Sequence, residues 1–199
     1  MHQWVFDSLK MEAGYQKINV EENELHKIIR KIKVGELDGV NITIPYKETI
    51  MQHLDEINPR AKSIGAVNCI IKSDSKIIGN NTDWYGFSMT LKNKDINLIG
   101  RDIIVLGAGG SAKSILYSIQ HLGVKKIFLL NRNIEKAQIL QDDCIVAYSL
   151  EDAEEIIKTD SIIINTTPVG MHSSHSPIDL GLIHENQILI DIIYTPLET

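Results

Sequence analysis

The amino-acid sequence predicts an α/β protein with two parts, a small mixed α/β domain followed by an open, doubly wound parallel-sheet domain. Three observations predict this class. An apolar run at 103–106 ends in a glycine cluster, and an apolar helical period begins at once. Further strand-like runs alternate with helical periods after it. Before residue 83 the elements are shorter and include a hairpin, so we expect domains at 1–82 and 83–199.

The first part alternates short helices and strands. Leu25, Ile28, Ile29 and Ile32 recur at helical spacing and define one apolar helix face. Pro45 suits the first turn of a helix, because the N–H that it lacks is not needed there. We expect helices at 4–11, 25–32, 45–54 and just after 58–59, strands at 15–20, 39–43, 65–71 and 76–79, and a hairpin turn at 73–75.

The second part repeats strand and helix on a larger scale. A helix at 83–93 is expected to lead into it. Ser149 and Asp152 have the spacing of a capping box, in which each side chain accepts a hydrogen bond from the other residue's N–H, so a helix should begin there. The remaining periods predict strands at 103–106, 126–130, 144–147, 161–165 and 188–192, with helices after the first three.

The turn after the 103–106 strand has the composition of a dinucleotide-binding turn. Gly107 can adopt the backbone angles of a tight turn, and Gly109 places no Cβ against a pyrophosphate. Ala112 is small enough to let the helix pack close to its strand. The N–H groups at the start of that helix would face the phosphates. We therefore predict that the second domain is a Rossmann-like, dinucleotide-binding domain.

Arg132 follows the second strand of this domain, where NAD-binding domains usually carry an acidic residue. A carboxylate accepts hydrogen bonds from the ribose hydroxyls and repels a 2′-phosphate. A guanidinium, with Lys136 one helical turn further on, suits that phosphate instead. The sequence therefore favours NADP as the cofactor. An exposed loop arginine without such a role is the ordinary alternative.

Ligands gather at the carboxyl ends of the strands in open α/β sheets. The loops at 165–171 and 191–194 follow such ends and are expected on the cofactor side. The residues predicted to contact the cofactor are Gly107, Ala108, Gly109, Gly110, Ser111, Ala112, Asn131, Arg132, Lys136, Thr166, Thr167, Pro168, Val169 and Met171.

Lys47 and Asp83 are polar residues that the fold alone does not require. Lys47 is expected just inside a helix start, where the helix dipole slightly disfavours a cation. Asp83 begins the connecting helix at the expected domain junction. A lysine and an aspartate in one cleft could exchange a proton with a substrate oxygen. The ordinary alternatives are a solvated Lys47 and a helix cap formed by Asp83 or Thr82.

Composition argues against several other classes. The 199 residues are 43% hydrophobic, and no apolar stretch reaches the ~20 residues that cross a bilayer, nor is there a secretion signal, so we expect a cytoplasmic protein without a membrane partner. A net charge of −6 without a basic block argues against nucleic acid. Cys69 and Cys144 suit reduced core thiols. His172 and His175 have no acidic or Cys neighbours, so no metal site is expected.

Six motifs, in order along the chain, resemble those of the shikimate dehydrogenase family. They are NITIPYKE at 41–48, GAVN at 65–68, GNNTDWYG at 79–86, GAGG at 107–110, NR at 131–132 and NTTPVGM at 165–171, and the segment 191–199 resembles the family as well. The resemblance implies an NADP-dependent oxidoreductase that reversibly reduces 3-dehydroshikimate to shikimate in aromatic amino-acid (chorismate) biosynthesis.

The resemblance also implies roles for single residues. Lys47 and Asp83 would be the catalytic pair, Thr43 and Asn68 would hold substrate hydroxyls together with Asp83, and Tyr194 would approach the substrate from the cofactor side. The implied partner is a small molecule, shikimate or 3-dehydroshikimate, and the protein would be a monomer or a homodimer.

Some features of the family are not among these 199 residues. They are an opening strand with a Ser-x-Ser loop that grips the substrate carboxylate, and closing helices that return to the first domain. Asn133 and Lys136 also replace a common Thr and Arg. We therefore expect the chain to bind NADP but to handle shikimate poorly. Two alternatives remain: an NAD-dependent quinate/shikimate dehydrogenase, and a truncated, non-catalytic nucleotide-binding remnant.

Overall fold

The computed structural model describes residues 2–195, which form two β-sheets with helices packed against them. The helices are α1 (His2–Ser8), α2 (Leu25–Lys33), α3 (Pro59–Ile64), α4 (Asp83–Asn93), α5 (Gly110–His121), α6 (Ile134–Gln138) and α7 (Ala153–Ile156). The strands are β1 (Gly39–Asn41), β2 (Glu56–Ile57), β3 (Cys69–Ser73), β4 (Lys76–Asn80), β5 (Asp102–Leu106), β6 (Lys126–Asn131), β7 (Ile145–Ser149), β8 (Ile162–Asn165) and β9 (Ile188–Asp191).

The first sheet is small and mixed, with the strand order β1-β3-β4-β2. β3 and β4 form the expected hairpin, in which Ser73 pairs with Lys76. β1 is antiparallel to β3, whereas β2 is parallel to β4. Helix α2 covers this sheet with its apolar face, since Leu25, Ile29 and Ile32 are buried against the strands.

The second sheet is entirely parallel, with the strand order β7-β6-β5-β8-β9. Ile103, Ile104 and Val105 of the central strand are at most 3% exposed, because helices cover both faces of the sheet. Helices α4, α5 and α6 supply apolar side chains to one face, and α7 supplies them to the other. The predicted fold class, a small mixed α/β part followed by a doubly wound sheet, is confirmed.

Several predicted elements have the expected bounds within a residue or two. The capping box forms as predicted, with Ser149 N–H donating to Asp152 Oδ2 at 2.9 Å. It begins a 3₁₀ turn that continues into α7. In the part of the chain from 2 to 195, no helix is long and apolar enough to cross a membrane.

The strand expected at 15–20 is not present. No described strand pairs with this segment, which is held instead by side chains near its two ends. Tyr15 N–H donates to Gln3 Oε1 at 2.7 Å, and the Tyr46 hydroxyl donates to the Val20 carbonyl at 2.9 Å. Tyr15 and Ile18 are 42% and 39% exposed, so the apolar alternation of the segment does not correspond to a buried sheet face.

The helix expected at 45–54 is also wrong, and with it the position of Lys47 in a helix start. Pro45 lies in a turn that follows a cis Ile44–Pro45 bond, and only Thr49–His53 is helical, in 3₁₀ form. The carbonyl of Lys47 accepts a hydrogen bond from Val67 N–H at 2.7 Å, so it is engaged outside the segment. Met51 N–H therefore bonds three residues back, to Glu48.

Two smaller differences concern the same sheet. The strand expected at 65–71 begins only at Cys69, because Gly65 ends α3 in the left-handed conformation, with φ of 74°, and turns the chain. The two-residue strand β2 was not predicted, since two residues carry no periodic signal.

Candidate active site

Lys47 and Asp83 form an ion pair in the region between the two sheets. Lys47 Nζ lies 2.7 Å from Asp83 Oδ2, although the residues are 36 positions apart. The side chains are 13% and 34% exposed, so neither is simply solvated. Lys47 is carried by the turn after β1, and Asp83 is the first residue of α4. The structure thus brings together the two residues that the sequence singles out for proton transfer.

Asn68 holds the other oxygen of the Asp83 carboxylate. Its side-chain Nδ2 donates to Asp83 Oδ1 and also to Thr82 Oγ1, at 3.0 Å for the latter. Its Oδ1 accepts from Thr82 N–H at 2.9 Å. Because Asn68 is only 7% exposed, these bonds fix the start of α4 relative to β3. Thr82 occupies the N-cap position of α4, but its hydroxyl turns to Asn68 and makes no capping bond.

The N-terminal turn of α5 packs directly on the turn that carries Lys47. Lys47 Nζ donates to Ser111 Oγ at 2.9 Å, across 64 positions of sequence. A Cβ added to Gly110 would lie 2.9 Å from Lys47 Cβ, closer than real side chains approach. Lys113, one turn further, pairs with Glu48 at 2.6 Å. The start of α5, which follows the glycine turn, is therefore in contact with Lys47, the lysine that the sequence predicts to be catalytic.

A line of buried polar side chains joins α4 and its preceding loop to α5, and we refer to it as the α4–α5 seam. Asn81 Nδ2 donates to Ser114 Oγ and to the Ala66 carbonyl, both at 2.9 Å. Further along, the Ser88 and Ser118 hydroxyls meet at 2.7 Å. Asn81, Ser114 and Ser118 are 7%, 0% and 1% exposed. The seam satisfies polar groups that would otherwise be costly to bury.

The glycine turn after β5 has the geometry expected of a tight strand-to-helix connection. Gly107 has φ of 103°, and a Cβ there would lie 2.7 Å from Thr166 Oγ1, so a side chain is excluded twice. Gly109, by contrast, has no heavy atom within 4 Å of the place where its Cβ would be. Ala108 and Ala112 are 8% and 0% exposed. The turn thus presents backbone on an open side at Gly109.

The loop after β8 is organised by Asn165, which is 8% exposed. Its Oδ1 accepts from the N–H and hydroxyl of Thr167, at 3.0 and 2.7 Å, and its Nδ2 donates to Asp191 Oδ2 at 3.1 Å. Thr166 turns back, with its N–H and hydroxyl both donating to the Leu106 carbonyl. Thr166 and Thr167 therefore lie against the glycine turn, as the topology predicts.

Arg132 is exposed at the end of β6, and its guanidinium has no hydrogen bond or ion pair with residues 2–195. Lys136 is exposed on α6 and its ammonium is likewise unpaired within that range. Asn131 Nδ2 donates to the Asn133 carbonyl at 2.7 Å, which shapes the loop. Asn133, one of the departures from the family pattern, caps α6 by accepting from Lys136 N–H at 2.9 Å.

Other predicted site residues do not contact the Lys47–Asp83 pair. The Thr43 side chain is exposed after β1 and makes no hydrogen bond within the described chain. Tyr194 is 80% exposed. Pro168, Val169 and Met171 lie in the loop after β8, where Met171 N–H bonds the Pro168 carbonyl.

Three residues of this region have partners that the sequence motifs do not predict. They are Asn81 and Asn165, which stand inside the quoted motifs, and Glu48, which follows Lys47 and pairs with Lys113. A buried asparagine beside an aspartate or at the end of an apolar strand is the signal that was available, because such an amide must find partners. The partners of the Asn81 amide nitrogen lie far away in sequence, since Ala66 is 15 positions before it and Ser114 is 33 positions after it.

Two family models match the chain. Residues 1–70 match the shikimate dehydrogenase substrate binding domain, and residues 89–179 match the shikimate / quinate 5-dehydrogenase family. The first match contains β1, β2 and the start of β3, and the second contains β5, β6, β7 and β8.

Known relatives agree with these matches. The NADP(+) shikimate dehydrogenase of Clostridium beijerinckii is 42% identical over 201 residues, which cover all of this chain and 74% of the relative. The structure of shikimate dehydrogenase 1 from Peptoclostridium difficile is similar with a TM-score of 0.91 and 36% identity, over 100% of this chain and 73% of that one. The Thermus thermophilus enzyme in complex with shikimate gives 0.83 and 31%, over 100% and 73%. This chain therefore belongs to the shikimate dehydrogenase family.

Proposed function

We propose that this protein interconverts 3-dehydroshikimate and shikimate with NADP as cofactor, and that Lys47 and Asp83 transfer the proton. Reduction of the ketone adds a hydride to the carbonyl carbon and a proton to its oxygen, which yields the alcohol. The nicotinamide supplies or accepts the hydride when it is bound. Lys47 would give the proton to the carbonyl oxygen, while Asp83 holds the ammonium in place.

The observation that carries this proposal is the 2.7 Å ion pair of Lys47 with Asp83 beside the glycine turn. A proton-transfer group must lie within hydrogen-bond reach of the reacting oxygen, and the hydride donor must lie near the same carbon. The contact between Lys47 and Ser111 supports the proposal, because it joins the residue proposed for proton transfer to the helix start proposed for the cofactor.

The residues around the turn fit NADP. Gly109 leaves its backbone open to a phosphate, and the first N–H groups of α5 favour an anion there. Arg132 and Lys136 offer unpaired positive charge within the described residues, and Arg132 has the planar fork that suits a 2′-phosphate. We propose the remaining predicted cofactor residues, including Thr166, Thr167 and the loop to Met171, as the wall of this site.

For the substrate we propose Asn68, Asp83 and Thr43 as partners of the hydroxyl groups. The fixed side chains of Asn68 and Asp83 and the exposed hydroxyl of Thr43 support this. We propose that Tyr194, which is 80% exposed, approaches from the cofactor side.

We also propose a domain boundary between residues 82 and 83, where α4 leaves the first sheet with Asp83 at its start. We also propose that the protein acts in the cytoplasm as a monomer or a homodimer.

The test is turnover by the purified protein with shikimate and NADP⁺, followed by the absorbance of the reduced nicotinamide. Parallel reactions contain NAD⁺ in place of NADP⁺, or quinate in place of shikimate. The Asp83→Asn protein, purified in the same way, gives the background from enzymes of the expression host. We expect the highest kcat/KM with shikimate and NADP⁺.

Each other result points to a different function. Higher kcat/KM with NAD⁺ and quinate would identify the NAD-dependent quinate/shikimate dehydrogenase that the sequence left open. NADP binding by calorimetry without turnover above the Asp83→Asn background would contradict the enzymatic proposal and support a nucleotide-binding protein.

A further inference from the structure

Ser111 lies in the first turn of α5, which packs on the second sheet, and it contacts Lys47 of the proton-transfer pair. It was predicted only as a cofactor contact, through the backbone of the helix start. Its hydroxyl oxygen, however, lies 2.9 Å from Lys47 Nζ and accepts a hydrogen bond from it. Lys47 thus has one anionic partner, Asp83 at the start of α4, and one neutral partner, Ser111 in the first turn of α5.

The approach is built into the sequence on both sides of the contact. A Cβ at Gly110 would lie 2.9 Å from Lys47 Cβ and 3.4 Å from Lys47 Cδ. The glycine therefore allows the backbone of α5 to approach Lys47. One turn further along α5, Lys113 pairs with Glu48, which is next to Lys47. The close packing of Gly110 on Lys47 and the Lys113–Glu48 ion pair, on either side of Ser111, therefore hold Ser111 against Lys47.

The geometry also accounts for the hydrogens of the ammonium group. A lysine ammonium has three N–H donors. Asp83 and Ser111 take two of them, and the third has no partner among residues 2–195. Two fixed bonds determine the direction of the third N–H. A lysine held by Asp83 alone could still rotate about that single contact.

We propose that Ser111 is a positioning residue, which acts through Lys47 by fixing the direction in which its remaining N–H points. The inference rests on the proposed function, since it assigns that N–H to the substrate oxygen. Ser111 lies in the first turn of α5, where backbone N–H groups would face the phosphates of a bound cofactor. One residue would therefore serve the cofactor with its backbone and the proton-transfer lysine with its side chain.

The first test compares Ser111→Ala, Ser111→Thr and the control Ser118→Ala. Ser118 is a buried serine of the same helix that bonds Ser88 and does not touch Lys47. We expect Ser111→Ala to lower kcat about ten- to a hundredfold, the equivalent of a hydrogen bond to a charged group. The KM for NADP should stay unchanged, because the backbone N–H is kept. Ser111→Thr retains the hydroxyl and should restore most of kcat.

The second test does not depend on turnover. The folded protein is labelled with acetic anhydride, and mass spectrometry then measures how fast each lysine is acetylated. The rate reports how tightly each lysine amine is held. Lys47 of Ser111→Ala should be acetylated several-fold faster than in the wild-type protein, while Lys113, which pairs with Glu48, serves as the internal control. Ser118→Ala should leave the Lys47 rate unchanged.

The outcomes separate the two proposals. A wild-type protein without turnover would contradict the proposed function, yet the labelling would still decide whether Ser111 restrains Lys47. Equal Lys47 labelling in Ser111→Ala and wild type would overturn the inference. So would a loss of kcat in Ser111→Ala that Ser111→Thr does not restore, or one that Ser118→Ala reproduces.

Discussion

The two charged regions of this protein are built in opposite ways. Lys47 and Asp83 are partly buried and bound to each other, to Asn68 and to Ser111. Arg132 and Lys136 are exposed, and their charged groups have no partner among residues 2–195. The difference agrees with the two tasks that we propose for these residues. A proton-transfer group needs a fixed position before the substrate arrives, whereas a phosphate-binding group gains most when its charge is not already neutralised.

The largest expected effect concerns the partly buried pair of Lys47 and Asp83. Lys47→Ala should lower kcat by on the order of 10²-fold or more, because the group that gives the proton is absent. The affinity for NADP, measured by calorimetry, should stay within about twofold of wild type. Lys125→Ala removes a lysine that is 68% exposed and remote from the pair, and is the control. Wild-type turnover by Lys47→Ala would exclude the lysine from catalysis.

The substitution Arg132→Asp tests the exposed residues Arg132 and Lys136. Loss of one charged hydrogen bond to the 2′-phosphate should weaken NADP binding about ten- to a hundredfold, and the new carboxylate should favour the ribose hydroxyls of NAD. Titrations with both cofactors measure the shift in preference. Arg30→Asp makes the same charge change at an exposed position of α2 and should alter neither affinity. An unchanged NADP affinity in Arg132→Asp would remove that residue from the site.

Two neighbouring glycines sharpen the comparison, since Gly110 packs against Lys47 and Gly109 has no heavy atom near the place of its Cβ. Gly110→Ala forces a Cβ to within 2.9 Å of Lys47 Cβ and should lower the free energy of unfolding by about 1–3 kcal/mol. Gly109→Ala meets nothing within 4 Å and should change it by no more than about 0.5 kcal/mol, but should weaken NADP binding. Urea denaturation and calorimetry measure the two quantities. The reverse pattern would show that the open side of the turn is not where the cofactor binds.

The smallest effect concerns a carboxylate with fixed partners far from the site. The N–H of Ile77 and the ammonium of Lys33 donate to Asp55 and lower the pKa of its carboxyl group. A lowered folded-state pKa contributes stability above the unfolded value, about 3.9, that is lost as the pH falls through the folded value. Asp55→Asn should therefore flatten the acid limb of a stability curve measured by urea denaturation. An acid limb as steep as that of wild type would show that the bond contributes nothing.

The fold of the second half was predictable because its signals are local. Apolar runs, the glycine cluster and the capping box at Ser149 each act within a few residues, and β5, α5, β6 and α7 form close to where they were expected. The prediction failed where a distant group decides. The carbonyl of Lys47 is taken by Val67, which lies 20 positions away, and so a helix does not form at 45–54.

The same reasoning explains which part of the site could be anticipated. Lys47, Asp83 and Arg132 stand in the sequence motifs, and their chemistry there predicts their roles. The bond between Lys47 and Ser111 depends on how the two sheets meet, and no periodicity within either stretch encodes it. Its trace in the sequence is Gly110, whose missing side chain is required by a neighbour 63 positions earlier.

The α4–α5 seam resists separation of α4 and its preceding loop from α5. Sliding α5 away from α4 would break the buried Asn81–Ser114 and Ser88–Ser118 hydrogen bonds, at a cost of about 1–3 kcal/mol for each polar group left without a partner. The contacts at the mouth of the cleft, such as Lys113 with Glu48, are partly exposed, and water can replace them at little cost. Separation of α4 from α5 therefore costs more free energy than loss of the partly exposed Lys113–Glu48 contact.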